Sequence, residues 1–233
     1  LPYDIPNVRV EYTENDPGIP FGFWRSVGAS FQGFVVEAFI DELAAAAKKD
    51  PFEFRRDLLG KSPRHKAVLE LAAEKAGWGK PPAAGRSRGI AVMDAFGSYL
   101  AQVTEVSVDT RGAVKVHRIV CTVDTGWVIN PDTIKAQMEG GIVYGLTAAL
   151  KGEITIKNGR VEQPHFGDYQ MLRHNEMPEI EVYIVPSTEV PGGIGEPSTA
   201  LAVGSLVNAV AAATGRRIYS LPIKAEQLRG GTA

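Results

Sequence analysis

The chain has 233 residues, 44% of them hydrophobic, which is enough apolar material for a sizeable core in one large domain or two modest ones. The formal net charge is −2 and the 25 basic residues are scattered along the chain, so the composition argues against nucleic acid as a partner. A single cysteine, Cys121, excludes an intrachain disulfide and leaves the compartment open between the cytoplasm and a periplasmic or membrane-associated location reached through partners.

The N-terminal third is predicted to begin with a strand and continue with helices. The strand is Val8–Tyr12, in which apolar and polar residues alternate. After an aromatic-rich loop that holds Arg25, Ser30 is the predicted N-cap of a helix. The apolar positions of that helix recur every four residues, at Phe31, Val35, Phe39 and Leu43. Two further helices are predicted to start where a cap residue precedes a proline, at Asp50 and Ser62.

A linker is predicted at residues 80–89, which contain two prolines and two glycines. In one interpretation this linker divides two subdomains, made of residues 1–79 and 90–233. In an equally good interpretation, the two segments share one interface as an intertwined part of a larger subunit.

Past the linker, the hydrophobic period changes from 3.6 to 2 residues. Tyr99–Val108 and Val114–Val123 are predicted to be two long strands joined by a hairpin turn. Asn130 begins another predicted helix, Asn158-Gly159 marks a second hairpin, and Glu179–Val185 is a last strand. Grouped helices and strands with antiparallel hairpins between them predict the α+β class.

The helix after Asn130 carries a narrow ridge of small side chains beside one glutamine. The ridge positions fall at i, i+4, i+8 and i+11, namely Gln137, Gly141, Gly145 and Ala148. Such a ridge lets another backbone or a flat ligand approach closely, although close helix packing is the commoner cause.

The stretch Pro191–Ala200 has three glycines in four positions, which let its backbone come close to a ligand or to another chain segment. Pro197 and the apolar run after it predict a helix that ends at Gly215. Glu196 therefore lies at or beside the N-cap, where Glu is not a favoured capping residue. A carboxylate presented there is a candidate base. The competing interpretation is a charge at a helix end, worth a few tenths to about 1 kcal/mol.

Other chemistries find little support in the sequence. No lysine follows the glycines of Pro191–Ala200, as a phosphate-binding loop requires. Ser30 lies in a glycine-containing stretch that is one residue too long for a nucleophile elbow. The histidines lack the spacing of a zinc site; they are His65, His117, His165 and His174.

Three stretches identify a family by their order and spacing: Trp24–Gly28, Ala136–Gly141 and Gly193–Pro197. Together they resemble the C-terminal part of the molybdenum-binding large subunit of the xanthine oxidase family, in the branch of isoquinoline 1-oxidoreductase and aldehyde dehydrogenase. The resemblance covers nearly the whole chain. It implies an α+β fold like that of the molybdenum hydroxylases, with the site between subdomains.

The resemblance also implies an activity. It is the oxidation of an aldehyde or an N-heterocycle by hydroxylation at an sp² carbon, with water as the oxygen source and molybdopterin cytosine dinucleotide as the form of the molybdenum cofactor. Glu196 matches the family's general base. The alternative is a non-catalytic module of the same fold that serves binding or assembly without the cofactor. The presence of Glu196 favours the enzyme, because a scaffold would tolerate Gln or Ala there.

The family pattern assigns binding residues too. The cofactor contacts match Arg25, Ser26, Val27, Gly28, Gln137, Gly140, Gly141 and Gly195, and the substrate contacts match Trp24, Arg25 and Val27. No side chain is expected to bind the metal directly. The chain departs from the family at Val27, where an aromatic residue is frequent, and it lacks the family's Gly-Gln-Gly segment.

Partners are implied by the same resemblance. A small subunit with 2Fe–2S clusters is expected to carry the electrons away, with a c-type cytochrome as an optional further partner and a small molecule as the substrate. The chain starts at Leu1 and lacks the Gly-Gln-Gly segment. We therefore expect the remaining N-terminal part of the molybdenum subunit to complete the site.

Overall fold

Helices cover both faces of a four-stranded sheet in this computed structural model, which describes residues 1–229. The helices are α1 (Ala29–Ala46), α2 (Pro51–Leu58), α3 (Pro63–Ala76), α4 (Pro131–Leu150), α5 (Pro197–Thr214) and α6 (Ala225–Leu228). The strands are β1 (Ser87–Ala95), β2 (Ser98–Val108), β3 (Val114–Asp124), β4 (Ile156–Lys157), β5 (Arg160–Val161) and β6 (Glu179–Ile184). The predicted α+β class is confirmed.

The sheet has the strand order β1-β2-β3-β6. Strands β1, β2 and β3 form an antiparallel meander, whereas β6 returns parallel to β3. Strands β4 and β5 form a separate small hairpin, and both of its turn residues, Asn158 and Gly159, have positive φ angles. A type I′ turn, a common two-residue hairpin turn, requires positive φ angles at both of its central residues. The hairpin predicted at Asn158-Gly159 is therefore confirmed.

Each face of the sheet has its own apolar core, because successive side chains of a strand point to opposite faces. On β2, Leu100 belongs to the core formed with α4 and α5, whereas Ala101 belongs to the core formed with α3. Helix α3, which precedes residues 80–89, therefore packs directly on the sheet that follows those residues.

Helix α5 is the central helix and is buried along most of its length. By length and composition it could cross a membrane, but 83% of it is buried inside the protein. Three neighbours reach its backbone through glycines. At each of them a Cβ atom would lie 2.7 Å or less from a backbone atom of α5: Gly33 on α1, Gly89 on β1 and Gly145 on α4. The start of α5, where Glu196 lies, is thus held by contacts along the whole helix.

The glycine ridge of α4 can be tested with a matched pair of variants. Gly145→Ala is expected to destabilise the protein by about 1–3 kcal/mol, because its Cβ would lie 2.3 Å from the backbone carbonyl oxygen of Thr199. Gly140→Ala is the control, since a Cβ there would meet nothing closer than Arg25 Nη1 at 3.9 Å. It should stabilise by up to about 1 kcal/mol through helix propensity. Urea unfolding measures both, and similar small changes in the two variants would contradict the packing role.

Two strand predictions are corrected by the structure. Val8–Tyr12 is not a strand among the described residues; it is exposed and makes no backbone pair there. Residues 87–89, which were predicted to belong to the linker, lie in β1, a strand that the sequence analysis missed. The reason is that Gly89–Val92 are buried in succession between α5 and α3, so that strand shows no alternation.

Helix α1 buries a face other than the one its apolar repeat marks. Its first three members are exposed, by 62% at Phe31, 59% at Val35 and 57% at Phe39, and only Leu43 is partly buried against a core. The buried face carries Glu37 and Asp41, because Arg55 of α2 pairs with both carboxylates. The N-cap is Gly28 rather than Ser30, whose hydroxyl donates to the carbonyl oxygen of Val27.

Candidate active site

Three separate parts of the chain meet around Arg25. Its Nε donates a hydrogen bond to the carbonyl oxygen of Gly195 at 2.8 Å, and its Nη2 donates to Oε1 of Gln137 at 2.9 Å. The arginine loop (residues 24–28), helix α4 and the glycine-rich loop before α5 are therefore joined by one guanidinium group. The three stretches that carried the family resemblance thus lie side by side in the structure.

Glu196 is the N-cap residue of α5, but its side chain makes no capping hydrogen bond to its own helix. The carboxylate turns to the arginine loop instead, where Oε1 accepts a hydrogen bond of 3.1 Å from the backbone N–H of Ser26. The Ser26 hydroxyl donates in turn to the carbonyl oxygen of Glu196 at 2.6 Å. Glu196 is half-buried. Its orientation is therefore set by a neighbouring loop and not by helix capping.

The arginine loop holds an unusual backbone conformation. Ser26 has a φ angle of 82° and Val27 has a φ angle of 46°, although only glycine adopts such values freely. For a β-branched residue this is a strained position, with a cost of about 1–3 kcal/mol. Hydrogen bonds from Val27 N to the Trp24 oxygen and from Ala29 N to the Ser26 oxygen close the loop at 2.8 and 2.9 Å. In this conformation the Ser26 N–H points at Oε1 of Glu196.

The glycine-rich loop is fixed by the strand ends beneath it. The backbone N–H of Gly192 donates to the carbonyl oxygen of Thr125 at 2.8 Å, and that of Gly193 donates to Phe96 at 2.7 Å. A Cβ on Gly192 would lie 2.4 Å from the backbone of Gly97. Of the two roles predicted for these glycines, the approach to another chain segment is the one that Gly192 performs.

The residues around Arg25 fit a cofactor that lies close to the backbone. If Gly28, Gly140 and Gly195 carried a Cβ atom, the nearest other group would lie 3.8 Å from it at Gly28 and 3.9 Å from it at the other two. Gly140 and Gly195 thus place no side chain over Arg25 and Gln137, so a bulky group can reach their guanidinium and amide groups. Gly141 is different, because it is buried and its Cβ would lie 2.1 Å from Ser198 Oγ. In this chain Gly141 serves the contact between α4 and α5, and its predicted cofactor contact stays a prediction.

An aromatic pair borders the site: Trp24 was predicted as a substrate contact, whereas Tyr144 was missed by the sequence analysis. The rings of Trp24 and Tyr144 lie 5.0 Å apart, and the Arg25 guanidinium lies 5.9 Å from the Tyr144 ring. Both aromatic residues line an open groove of about 1010 Å³ that extends to Tyr169. Tyr144 follows Gln137 by seven residues on the same helix face, and that spacing could have identified it.

Other reactive groups lie apart from this site. Burial raises the pKa of the Cys121 thiol to about 12, so Cys121 is a buried thiol and not a thiolate. Within residues 1–229, no group of three or more His, Cys, Asp or Glu residues could hold a metal ion.

Comparison with known proteins gives the family. Residues 32–178 match the molybdopterin cofactor-binding domain. The chain is 32% identical to the isoquinoline 1-oxidoreductase subunit beta of Brevundimonas diminuta, over 95% of this chain and 29% of that protein. It is 33% identical to a membrane-bound aldehyde dehydrogenase of Gluconacetobacter polyoxogenes, named for pyrroloquinoline quinone, over 98% of this chain and 33% of that protein. The chain thus spans about a third of these relatives.

A solved structure supports the same fold. The aldehyde oxidoreductase of Desulfovibrio desulfuricans ATCC 27774 superposes with a TM-score of 0.72 over 88% of this chain and 41% of that chain, at 15% identity.

The domain match includes Gln137 and ends before Glu196, whereas the alignments with the two relatives cover almost the whole chain. The chain therefore belongs to the molybdenum-binding subunits of the xanthine oxidase family.

Proposed function

We propose that this chain carries the catalytic base of a molybdenum hydroxylase that oxidises an aldehyde or an N-heterocycle at an sp² carbon, with water as the oxygen source. The observation that carries the proposal is the carboxylate of Glu196, held by the Ser26 N–H next to Arg25. The names of the two relatives support both substrate classes, since one is an isoquinoline oxidoreductase and the other an aldehyde dehydrogenase.

When bound, molybdopterin cytosine dinucleotide supplies the oxygen-transfer and two-electron chemistry. Arg25 and Gln137 hold the cofactor with their hydrogen-bonding groups, and the uncovered backbone at Gly28, Gly140 and Gly195 allows its close approach. The existing Arg25–Gln137 hydrogen bond keeps both side chains in place before binding. The chain thus offers a pre-formed half of a binding site.

Glu196 accepts the proton that the reaction releases. Its Oε1 accepts the Ser26 N–H, whereas Oε2 has no hydrogen-bond partner within residues 1–229, so we assign proton uptake to Oε2. Trp24 precedes Arg25 in the arginine loop and Val27 follows it at 39% exposure, and we assign both to substrate contact.

The electrons then leave through partners. We infer that the remaining N-terminal part of the molybdenum subunit completes the cofactor site, and that a small subunit with 2Fe–2S clusters receives the electrons, with a c-type cytochrome as a further acceptor. The support for a second part of the subunit is that this chain spans 29% and 33% of its two relatives.

Chemical analysis of the intact complex tests this function. We expect molybdenum and a pterin in amounts equal to this chain, and turnover of aldehydes or N-heterocycles with an artificial electron acceptor. The oxygen in the product should carry ¹⁸O when the reaction runs in labelled water. A complex that contains pyrroloquinoline quinone and no molybdenum would overturn the proposal, and a cofactor-free complex would favour the binding or assembly module.

A further inference from the structure

A long exposed strap connects two buried anchors in the N-terminal part of the chain. All of residues 6–23 are exposed. On one side the strap is anchored by Tyr3, which is 5% exposed and whose hydroxyl donates to Glu37 at 2.7 Å. On the other side it enters the arginine loop at Trp24. The strap is thus attached to the body of the protein at both ends, and its second end enters the candidate active site.

One part of the strap has the pattern of a half-buried strand without a sheet. Val8, Val10 and Tyr12 are 51%, 80% and 87% exposed. Arg9 and Glu11, on the other face, form an ion pair with each other. Within residues 1–229, the backbone groups of Val8–Tyr12 have no hydrogen-bond partner. Exposed β-branched and aromatic residues that alternate with a polar pair are suited to cover an apolar surface on one face only.

We propose that Val8–Tyr12 is a β-strand that is added to an exposed sheet edge in the remaining part of the molybdenum subunit. In this mode of recognition the backbone hydrogen bonds supply affinity, and the alternate side chains fill apolar pockets of the partner. Val8, Val10 and Tyr12 face the partner's core, whereas Arg9 and Glu11 face water. This inference rests on the proposed function in one respect, which is that the partner is the remaining part of the molybdenum subunit.

Two observations favour this partner over a second copy of the chain. Most of the length of each relative lies outside the part that this chain matches, so a large polypeptide is available to cover the surface. The helix that follows the arginine loop in the chain, α1, also exposes apolar side chains, at Phe31 and Val35. A body that completes the cofactor site between these surfaces would cover both.

Amide hydrogen exchange in the purified complex tests the strand. We expect the exchange of alternate amides within residues 8–12 to be at least about 100-fold slower in the complex than in the chain alone, because a strand at an edge bonds every second N–H to its neighbour. A photo-crosslinker in place of Tyr12 should attach to the remaining part of the molybdenum subunit. Equal exchange in both samples, or a crosslink to a second copy of this chain, would overturn the inference.

Two proline variants provide the matched control. Val10→Pro removes a donor in the middle of the strand and should lower the yield of assembled complex at least about tenfold. Asn15→Pro lies in the same exposed strap outside the alternating residues, and its assembly should stay within about twofold of wild type. Equal assembly of the two variants would contradict the strand. Because molybdenum content and turnover of the wild-type complex are measured separately, failure of the strand and failure of the proposed function are distinguishable.

Discussion

Glu196→Gln is expected to lower turnover per bound molybdenum by about 10²–10⁴-fold, which is the contribution of a general base. The substitution keeps the shape of the side chain and an oxygen that can accept the hydrogen bond from the Ser26 N–H, now 3.1 Å long. The Arg25–Gln137 contact does not involve this carboxylate, so molybdenum and pterin content should remain near wild type. Turnover is measured with an artificial electron acceptor and divided by bound molybdenum.

A control for charge alone lies on the same loop. Glu189 is exposed, and Glu189→Gln removes an equal charge without touching the arginine loop. Its normalised turnover should stay within about twofold of wild type, as expected for an exposed charge that salt screens. If Glu196 served only the helix end, its replacement would cost up to about 1 kcal/mol of stability and leave the rate intact. A normalised rate of Glu196→Gln within a few-fold of wild type would remove this residue from the mechanism.

Arg55→Ala is expected to lower the free energy of unfolding by about 3–5 kcal/mol, because it leaves buried carboxylates without their cation. Arg55 is fully buried, and its Nε donates to Glu37 at 2.9 Å while its Nη1 donates to Asp41 at 3.3 Å. Burial, which lowers the pKa of Arg55, is outweighed by the charge of Glu37, and the pKa is raised. The group therefore stays charged inside the protein.

A loss of free energy of unfolding this large is expected only for an arginine in the buried network, and not for any replaced arginine. Arg56, the next residue, is 38% exposed and pairs with Glu53 on the surface of the same helix. Arg56→Ala should cost no more than about 1 kcal/mol. Urea unfolding at neutral pH, followed by tryptophan fluorescence, compares the two variants. A difference of less than about 1 kcal/mol between them would show that Glu37 finds enough support from its other donors, the Tyr3 hydroxyl and the Val92 N–H.

Local chemistry made several elements predictable from the sequence. Asp50 and Asn130 cap their helices with side-chain hydrogen bonds to the N–H groups two and three residues later, as a cap residue followed by proline indicates. Gly215 ends α5 in the left-handed conformation. Ser62 also precedes its helix, but its hydroxyl donates to the Pro2 oxygen instead of capping. These signals operate within a few residues, so one sequence suffices to find them.

Burial depended on partners distant in the sequence, and here the periodicity failed. The apolar repeat of α1 faces outward because its charged face meets Arg55 and Arg217, residues that no pattern within the helix reveals. Strand β1 lost its alternation because helices cover both of its faces. The strand pattern of Val8–Tyr12 found no sheet within residues 1–229.

The residue types of the candidate site, their order along the chain and the start of α5 after Glu196 can all be read from the amino-acid sequence. It took the folded chain to show that Arg25 joins Gln137 to Gly195, and that the Ser26 N–H points at Glu196. The fold also shows that, on α4, Gly140 is open whereas Gly141 and Gly145 pack against α5. These contacts join segments more than fifty residues apart, and their geometry depends on how closely α5 packs against its neighbours.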